Sequence, residues 1–285
     1  MTRIFAYIAL LVMLLTCSAT TILAQGNAIS EVSAGNFFGV GGRAVGMSEA
    51  VVVSSLDGTA IVYNPAALVR IMRPEFYAGL SNEKVSNSSS YGSSVARNDF
   101  SKTRLSSLNL AVPVPTYRGS FVVAFGVNRT MSFDRTYTFL YPGLNGSEKA
   151  LEEGNGGIRE WSAAAAVELS PRVSVGATLT YFHGSEDYYW DYSSFVFNDT
   201  GGDPPSYSLR NVDNIKSRYS AIGARLGMIV EANPYLSFGF MVESPKRFNV
   251  KQDYIQRTVL NGNLDVTPGS YEYVLQHPYS TMLAV

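Results

Sequence analysis

The chain has 285 residues, of which 46% are hydrophobic and 12% aromatic, but only 16% are charged. An average soluble domain carries roughly 25% charged residues, so the low charge needs an explanation. The formal net charge of -1 leaves no basic surface for nucleic acid, which is therefore excluded as a partner. Two histidines and one cysteine leave almost nothing for a zinc site or a disulfide framework, and no metal or other cofactor is expected.

Residues 1–24 have the composition of a secretory signal peptide. Arg3 precedes an apolar run, small and polar residues follow, and Ala24 stands at the expected cleavage point. Two alternatives stay open: a retained anchor helix over residues 4–23, or a lipoprotein box in which Cys17 is lipidated. Cleavage after Ala24 leaves a mature chain without cysteine, which fits a bacterial envelope protein.

Beyond the signal peptide, alternation of period two predicts β-strands. The clearest segments are residues 120–128, 173–182 and 236–243, where one face is bulky and apolar and the other is mostly small or polar. The remaining predicted strands lie near residues 75–81, 104–112, 133–141, 158–169, 219–231, 251–260 and 271–276. This makes about ten strands in all.

The predicted connections alternate between tight and long. Tight turns that contain proline are expected at residues 113–119, 170–172 and 233–235. Long polar links are expected over residues 142–157, 193–214 and 261–269. Short turns at one end and long loops at the other are typical of an antiparallel up-and-down β-barrel of the bacterial outer membrane.

The composition of the strand faces favours this barrel over a soluble sandwich. A sandwich surrounded by water carries Lys, Glu and Arg on its outer positions, whereas here one face is apolar and the other is Gly, Ser, Thr and Ala. An aromatic cluster is interpreted as an interfacial girdle, with a β-rich hydrophobic core as the alternative. Its members are Tyr181, Phe182, Tyr188, Tyr189, Trp190 and Tyr192.

The segment of residues 25–73 does not share the strand pattern. It is rich in small residues and precedes the first strand, so we expect it to fold into the barrel lumen as a hatch or plug. A periplasmic leader is the alternative. The predicted organisation is therefore a signal peptide (1–24), a hatch (25–73) and barrel strands (74–285).

This hatch segment resembles the FadL-type family of outer-membrane transporters. The resemblance is carried by a Gly-rich stretch with an arginine, an acidic residue and an Asn-Pro-Ala element before the first strand. The matching residues are Gly41, Gly42, Arg43, Gly46, Asp57, Asn64, Pro65, Ala66 and Leu68. Envelope barrels of the PorV type, which are associated with secretion, share similar N-terminal features.

The resemblance implies a hatch-filled barrel that passively transports long-chain fatty acids or other hydrophobic compounds. The expected partners are those compounds, outer-membrane lipid with lipopolysaccharide, and the barrel assembly machinery. Arg43 and Asp57 are expected to form an ion pair in the lumen. Ligand contacts are expected by region only, at Phe139, Tyr141, Tyr188, Trp190 and Phe195.

Two features leave the function open. The sequence stops at Val285 in what is interpreted as the start of another strand, so we expect a truncated barrel, with a smaller complete barrel of about ten strands as the alternative. The alternative to transport is a structural or secretion-associated barrel that binds protein partners. An outer-membrane lipid hydrolase is a remote third possibility, because His183 and Ser185 are the one His and Ser that lie close together in a predicted strand. We nevertheless expect that the protein is not an enzyme.

Overall fold

The computed structural model describes residues 39–91, 94–143, 146–196 and 207–285. The predicted signal peptide and the first part of the predicted hatch, residues 25–38, lie outside the described residues. Within the described part, the only helical elements are two short α-helices and one 3₁₀ helix. They are α1 (Gly42–Gly46), α2 (Ala60–Tyr63) and the 3₁₀ helix Pro65–Arg70. None of the described helices is long and apolar enough to cross a membrane.

The described part of the chain forms one antiparallel sheet of eleven strands, which confirms the all-β fold class. The sheet is not closed between its described strands. The strands are β1 (Glu75–Tyr91), β2 (Ser94–Val114), β3 (Phe121–Ser132), β4 (Arg135–Gly143), β5 (Gly146–Ser170), β6 (Val173–Val196), β7 (Tyr207–Asn233), β8 (Leu236–Glu243), β9 (Lys246–Leu260), β10 (Asn263–His277) and β11 (Ser280–Ala284).

Three pairs of consecutive strands, β3 with β4, β8 with β9 and β10 with β11, continue in line, so each pair acts as one interrupted segment of the sheet. Strands β3 and β4 both pair with β5, and β8 and β9 both pair with β7. In the same way β11 pairs with β8 and β10 pairs with β9. Each long segment therefore lies beside the one that precedes it in the chain, which is the order of an up-and-down meander.

The predicted alternation of small and bulky faces is confirmed in the three clearest strands. On β3, Val122 and Ala124 are buried whereas Phe125 is 60% exposed. On β6, Thr178 is buried and Leu179 is 69% exposed. We call the face that carries the helices the hatch face and the opposite one the outer face; bulky apolar side chains lie on the outer face.

The outer face divides each long segment into two zones. The apolar belt runs over about the 9–11 residues that a tilted strand needs to cross a bilayer, as in residues 173–181 of β6. Strands β5, β6 and β7 contain 25, 24 and 27 residues, so they continue far beyond the belt. We call this continuation the upper wall; it comprises β4, β9, β10 and residues 82–104, 146–158, 183–196 and 207–220.

The proline turns are confirmed, but two of the predicted long links are wrong. The turns between β2 and β3, β5 and β6, and β7 and β8 fall at the three proline segments. In contrast, most of residues 142–157 belongs to β4 and β5, and residues 261–269 contain a two-residue turn followed by β10. Asn261 and Gly262 have φ of 47° and 86°, as a tight hairpin turn requires.

Candidate functional site

The described part of the hatch packs on the hatch face against β3, β5, β6 and β7. Its helices contribute apolar side chains that are fully buried, and the strands present small residues to them. The strands thus leave room for the hatch because their inward positions carry little volume. The main members are Ile61, Tyr63, Ala66 and Leu68 from the hatch and Ala111, Val122, Ala124, Ala166 and Ile229 from the strands.

The Asn-Pro-Ala element fixes the hatch to β7. Asn64 is completely buried, and its Nδ2 donates to the carbonyl of Val52 at 3.0 Å and to that of Met228 at 3.4 Å. Its Oδ1 accepts the N–H of Ala66 at 3.1 Å and so begins the 3₁₀ helix, with Pro65 at the first position. One amide side chain therefore joins two parts of the hatch to the sheet.

Glycines on neighbouring strands make space for this element. Gly176 on β6 and Gly227 on β7 are direct cross-strand partners. A Cβ at Gly176 would lie 2.5 Å from the carbonyl carbon of Pro65, and a Cβ at Gly227 would overlap Asn64 Oδ1. Any larger residue at either position would push the hatch off the sheet.

The other hatch-motif residues have different local roles. Gly41 has φ of +89°, and the N–H of Gly42 donates to Tyr77 Oη at 3.2 Å. Gly46 ends α1. The expected Arg43–Asp57 ion pair is wrong: Arg43 is exposed on α1, and Asp57 instead accepts the N–H of Thr59 at 2.9 Å, closing a local turn.

A layer of four charged side chains lies on the hatch face beyond the hatch. Arg225 of β7 forms a two-pronged ion pair with Glu160 of β5 and a second pair with Glu243 of β8 at 2.8 Å. Lys246 of β9 pairs with Glu243 at 2.9 Å. All four are buried, and their charges balance. An apolar layer that includes Phe182 lies next to these charges. The Nζ atom of Lys246 is 4.8 Å from the centre of the Phe182 ring.

The interruption between β3 and β4 is closed by side chains. Asp134, whose side chain is 1% exposed, pairs with Lys102, Arg104 and Arg129 at 3.1, 3.0 and 2.9 Å. Burial alone would raise the pKa of Asp134. The hydrogen bonds from Arg129, Arg104, the Gly156 N–H and Lys102 outweigh it and hold that pKa well below its usual range.

The upper wall brings four of the five predicted ligand residues onto one face. Tyr141, Phe139, Tyr188 and Trp190 all occupy hatch-face positions of β4 and β6, whereas Phe195 lies on the outer face and is 40% exposed. The girdle prediction is therefore wrong for most of its cluster. The belt-edge aromatic residues on the outer face are Tyr181 and its cross-strand neighbour Trp161.

Charged groups accompany these aromatic side chains. Arg135 pairs with Glu152 at 2.9 Å and with Glu186 at 3.0 Å, and its guanidinium lies 5.2 Å from the centre of the Tyr188 ring. Tyr219 Oη donates to Glu186 at 2.9 Å. Burial and the carboxylate of Glu152 raise the pKa of Tyr188 to about 12, so its phenol stays a neutral hydrogen-bond donor.

Three further polar residues lie on this face, and no motif in the sequence marks them. Within the described part of the chain, Asn211 Oδ1, Asp213 Oδ1 and Gln252 Oε1 are buried without a hydrogen-bond partner. Asp213 lines a depression of about 230 Å³ together with Tyr254 and other upper-wall residues. Buried acceptors normally have donors, so these oxygens have hydrogen-bonding capacity that the described residues leave unfilled. Their positions depend on strand register, which the sequence does not display.

The residues considered for hydrolysis lie elsewhere. His183 and Ser185 occupy outer-face positions of β6, where the His183 ring stacks on Tyr181 at 6.2 Å and Ser185 is opposite Arg218. Among the described residues no group of three or more His, Cys, Asp or Glu side chains is arranged to hold a metal ion.

The fold and the site define a class of protein: an outer-membrane antiparallel sheet with a hatch on one face and a tall wall above its apolar belt. A comparison with protein families matches residues 6–233 to BamG. The chain belongs to the BamG family, whose members are outer-membrane components related to the barrel assembly complex, and it is a protein of the bacterial outer membrane. Nothing in the comparisons supports the FadL-type family specifically. Neither the curated proteins nor the solved structures compared with the chain give a match.

Proposed function

We propose that this protein serves the barrel assembly machinery of the outer membrane as a non-enzymatic component that binds a protein partner through the hatch face of its upper wall. The observation that carries the proposal is the set of buried oxygens of Asn211, Asp213 and Gln252 that have no hydrogen-bond partner among the described residues, beside the half-buried aromatic residues Trp190 and Tyr254. Trp, Tyr and Arg are the residues that dominate protein interfaces, and all three occur here. The family match is consistent with this role.

The chemistry of the surface indicates what the partner carries. Acceptors are in excess, because Glu152 and Glu186 share the guanidinium of Arg135 while Asp213 Oδ1 has no hydrogen-bond partner among the described residues. A segment with N–H donors or basic side chains would satisfy these groups, and its apolar side chains would pack on Tyr254 and Trp190.

Transport of fatty acids, expected from the FadL resemblance, has weaker support. A hydrophobic chain moving along the hatch face would have to pass the buried Arg225, Glu160 and Glu243 layer, and desolvated charges do not favour apolar ligands. The Asp134 cluster also closes the interruption between β3 and β4.

Copurification tests the partner role. The full-length protein is tagged at its native locus, and the barrel assembly core that copurifies with it is quantified by mass spectrometry. We expect the Tyr188→Ala/Trp190→Ala variant to bind that core at least about thirtyfold more weakly and to recover correspondingly less of it, because a hot-spot truncation removes about 2 kcal/mol or more. Tyr189→Ala, on the outer face of the same strand, is the matched control. Unchanged recovery with the double variant would refute the proposal.

Liposome uptake tests the transport alternative separately. Liposomes that contain the full-length protein are expected to take up labelled long-chain fatty acid no faster than empty liposomes. Faster uptake that is abolished by a hatch variant would instead support a conduit.

A further inference from the structure

The outer face carries an apolar groove within the belt. It has a volume of about 690 Å³ and crosses six adjacent strands, so its width is about 24 Å at roughly 4.8 Å per strand spacing. Its walls are almost entirely apolar. The residues that matter below are Leu108, Phe125, Trp161, Leu179, Tyr181 and Ile222.

A basic row lies directly above this groove. Cross-strand register aligns Val127, Trp161, Tyr181 and Ile222 at one level of the outer face. Two residues further along the strands, the register aligns Arg129, Arg159 and His183. Because the proline turns mark the periplasmic end, this basic row lies at the external edge of the belt.

Arg159 is the available cation of this row. Arg129 is committed to Asp134, whereas Arg159 is exposed and makes no ion pair with any residue in the described part of the chain. His183 is the direct cross-strand neighbour of Arg159 and is also exposed. Side chains at such opposed positions have Cβ atoms about 5 Å apart, so both can reach one phosphate.

We propose that this groove and basic row bind a phosphorylated glycolipid of the outer leaflet, lipid A, against the outer wall of the protein. The acyl chains lie in the groove, and a glucosamine phosphate accepts hydrogen bonds from Arg159 and His183. Trp161, which is 54% exposed, and Tyr181 lie at the boundary between the two parts of the lipid. A groove this wide matches a lipid with many acyl chains better than a two-chain phospholipid. The inference does not depend on the proposed partner role.

Native mass spectrometry of the full-length protein tests it. The protein is delipidated in mild detergent and titrated separately with lipid A, dephosphorylated lipid A and phosphatidylglycerol. We expect lipid A to bind at least about tenfold more tightly than the other two, since a charge-assisted bidentate contact is worth roughly a decade in affinity. Arg159→Gln should remove most of that difference.

Two matched variants make the result decisive. Arg97→Gln replaces an exposed arginine of β2 away from the groove and should leave lipid A binding unchanged. Leu179→Ser polarises the groove and should weaken binding of both lipid A forms. Equal binding of phosphorylated and dephosphorylated lipid A, equal binding of phosphatidylglycerol, or full binding by Arg159→Gln would each overturn the proposal. Heat-modifiable migration in gels confirms that every variant is folded.

Discussion

The belt and the upper wall use the two faces of the same strands in opposite ways. Within the belt of β6, Leu179 is on the outer face while Gly176 and Thr178 are on the hatch face. In the upper wall of the same strand, Tyr188 and Trp190 occupy the hatch face, and polar residues such as Asp187 occupy most of the outer face.

Solvent explains the inversion. The outer face of the belt meets lipid, where bulky apolar groups are favoured and an Arg or Lys at mid-depth is unfavourable by about 2–4 kcal/mol. The outer face of the upper wall meets water, so its apolar groups turn to the hatch face. In the belt, the hatch covers the hatch face of the strands. On the hatch face of the upper wall, by contrast, the side chain of Tyr271 remains 50% exposed. This contrast predicts that variants near the hatch affect stability and variants in the upper wall affect binding.

The largest loss of stability is expected for Arg225→Met. Removing the guanidinium leaves Glu160 and Glu243 buried without a shared cation, and breaking a buried pair in this way destabilises by about 3–5 kcal/mol. Urea unfolding in lipid vesicles measures it. Arg218→Met removes an exposed pair with Asp253 and should change stability by less than about 1 kcal/mol. Equal effects of the two variants would contradict a distinct buried layer.

Gly227→Leu should destabilise by about 3 kcal/mol, because its side chain would overlap Asn64 and displace the hatch. Ala224→Leu on the same strand faces lipid and serves as the control, for which little or no loss is expected. The same unfolding assay separates them. A stable Gly227→Leu protein would show that the hatch does not depend on this close approach.

Asn64→Ala should lower the free energy of unfolding by about 2 kcal/mol, because it leaves the buried carbonyl of Val52 and the buried N–H of Ala66 without their hydrogen-bond partner. Asn82→Ala, which removes only exposed hydrogen bonds on β1, is the comparison variant. If both variants unfold at the same urea concentration as the native protein, Asn64 does not anchor the hatch.

Asp134 predicts a smaller, pH-dependent effect. Its folded-state pKa is depressed, so its contribution of about 1–2 kcal/mol is fully present above the unfolded value of about 3.9 and is lost as pH falls through the folded pKa. Unfolding free energies measured between neutral and acidic pH should therefore decline less steeply in Asp134→Asn than in the native protein. Parallel curves for the two proteins would contradict this assignment.

The smallest effect on stability is expected for Trp190→Ala, at less than about 1 kcal/mol, because the described residues bury its ring only partly. Thermal unfolding followed by circular dichroism measures the change. A loss as large as that of Gly227→Leu would mean that Trp190 belongs to the folded core and would erase the contrast between the two regions.

The sequence predicts the belt better than the upper wall for a physical reason. Lipid on one face and the hatch on the other impose strict alternation on strands such as β3, and the pattern is visible. Outside the membrane, the strands have neither lipid on one face nor the hatch on the other, so strict alternation is not required. In the sequence, the glycines within residues 154–157 therefore look like loop residues. They are instead close approaches: a Cβ at Gly154 would overlap the carbonyl of Phe133. The Asn261-Gly262 turn did have a sequence signal, the Asn-Gly pair typical of tight hairpins.

The candidate site was predictable as a region but not as a surface. Aromatic residues marked β4 and β6, yet only the register of β4, β5 and β6 shows that Phe139 and Trp190 share a face that Phe195 does not. Of the residues whose oxygens lack a partner among the described residues, Asn211 and Asp213 lie on β7 and Gln252 lies on β9, and no local sequence pattern distinguishes them.

Site-specific photocrosslinking in living cells tests the central claim most directly. A photoreactive amino acid replaces Trp190 on the hatch face of the upper wall or Phe195 on the outer face of the same strand, and crosslinked proteins are identified by mass spectrometry. We predict a crosslink to a component of the barrel assembly machinery from position 190 and none from position 195. Crosslinks from position 195 alone, or none from either position while the protein is folded in the outer membrane, would contradict it.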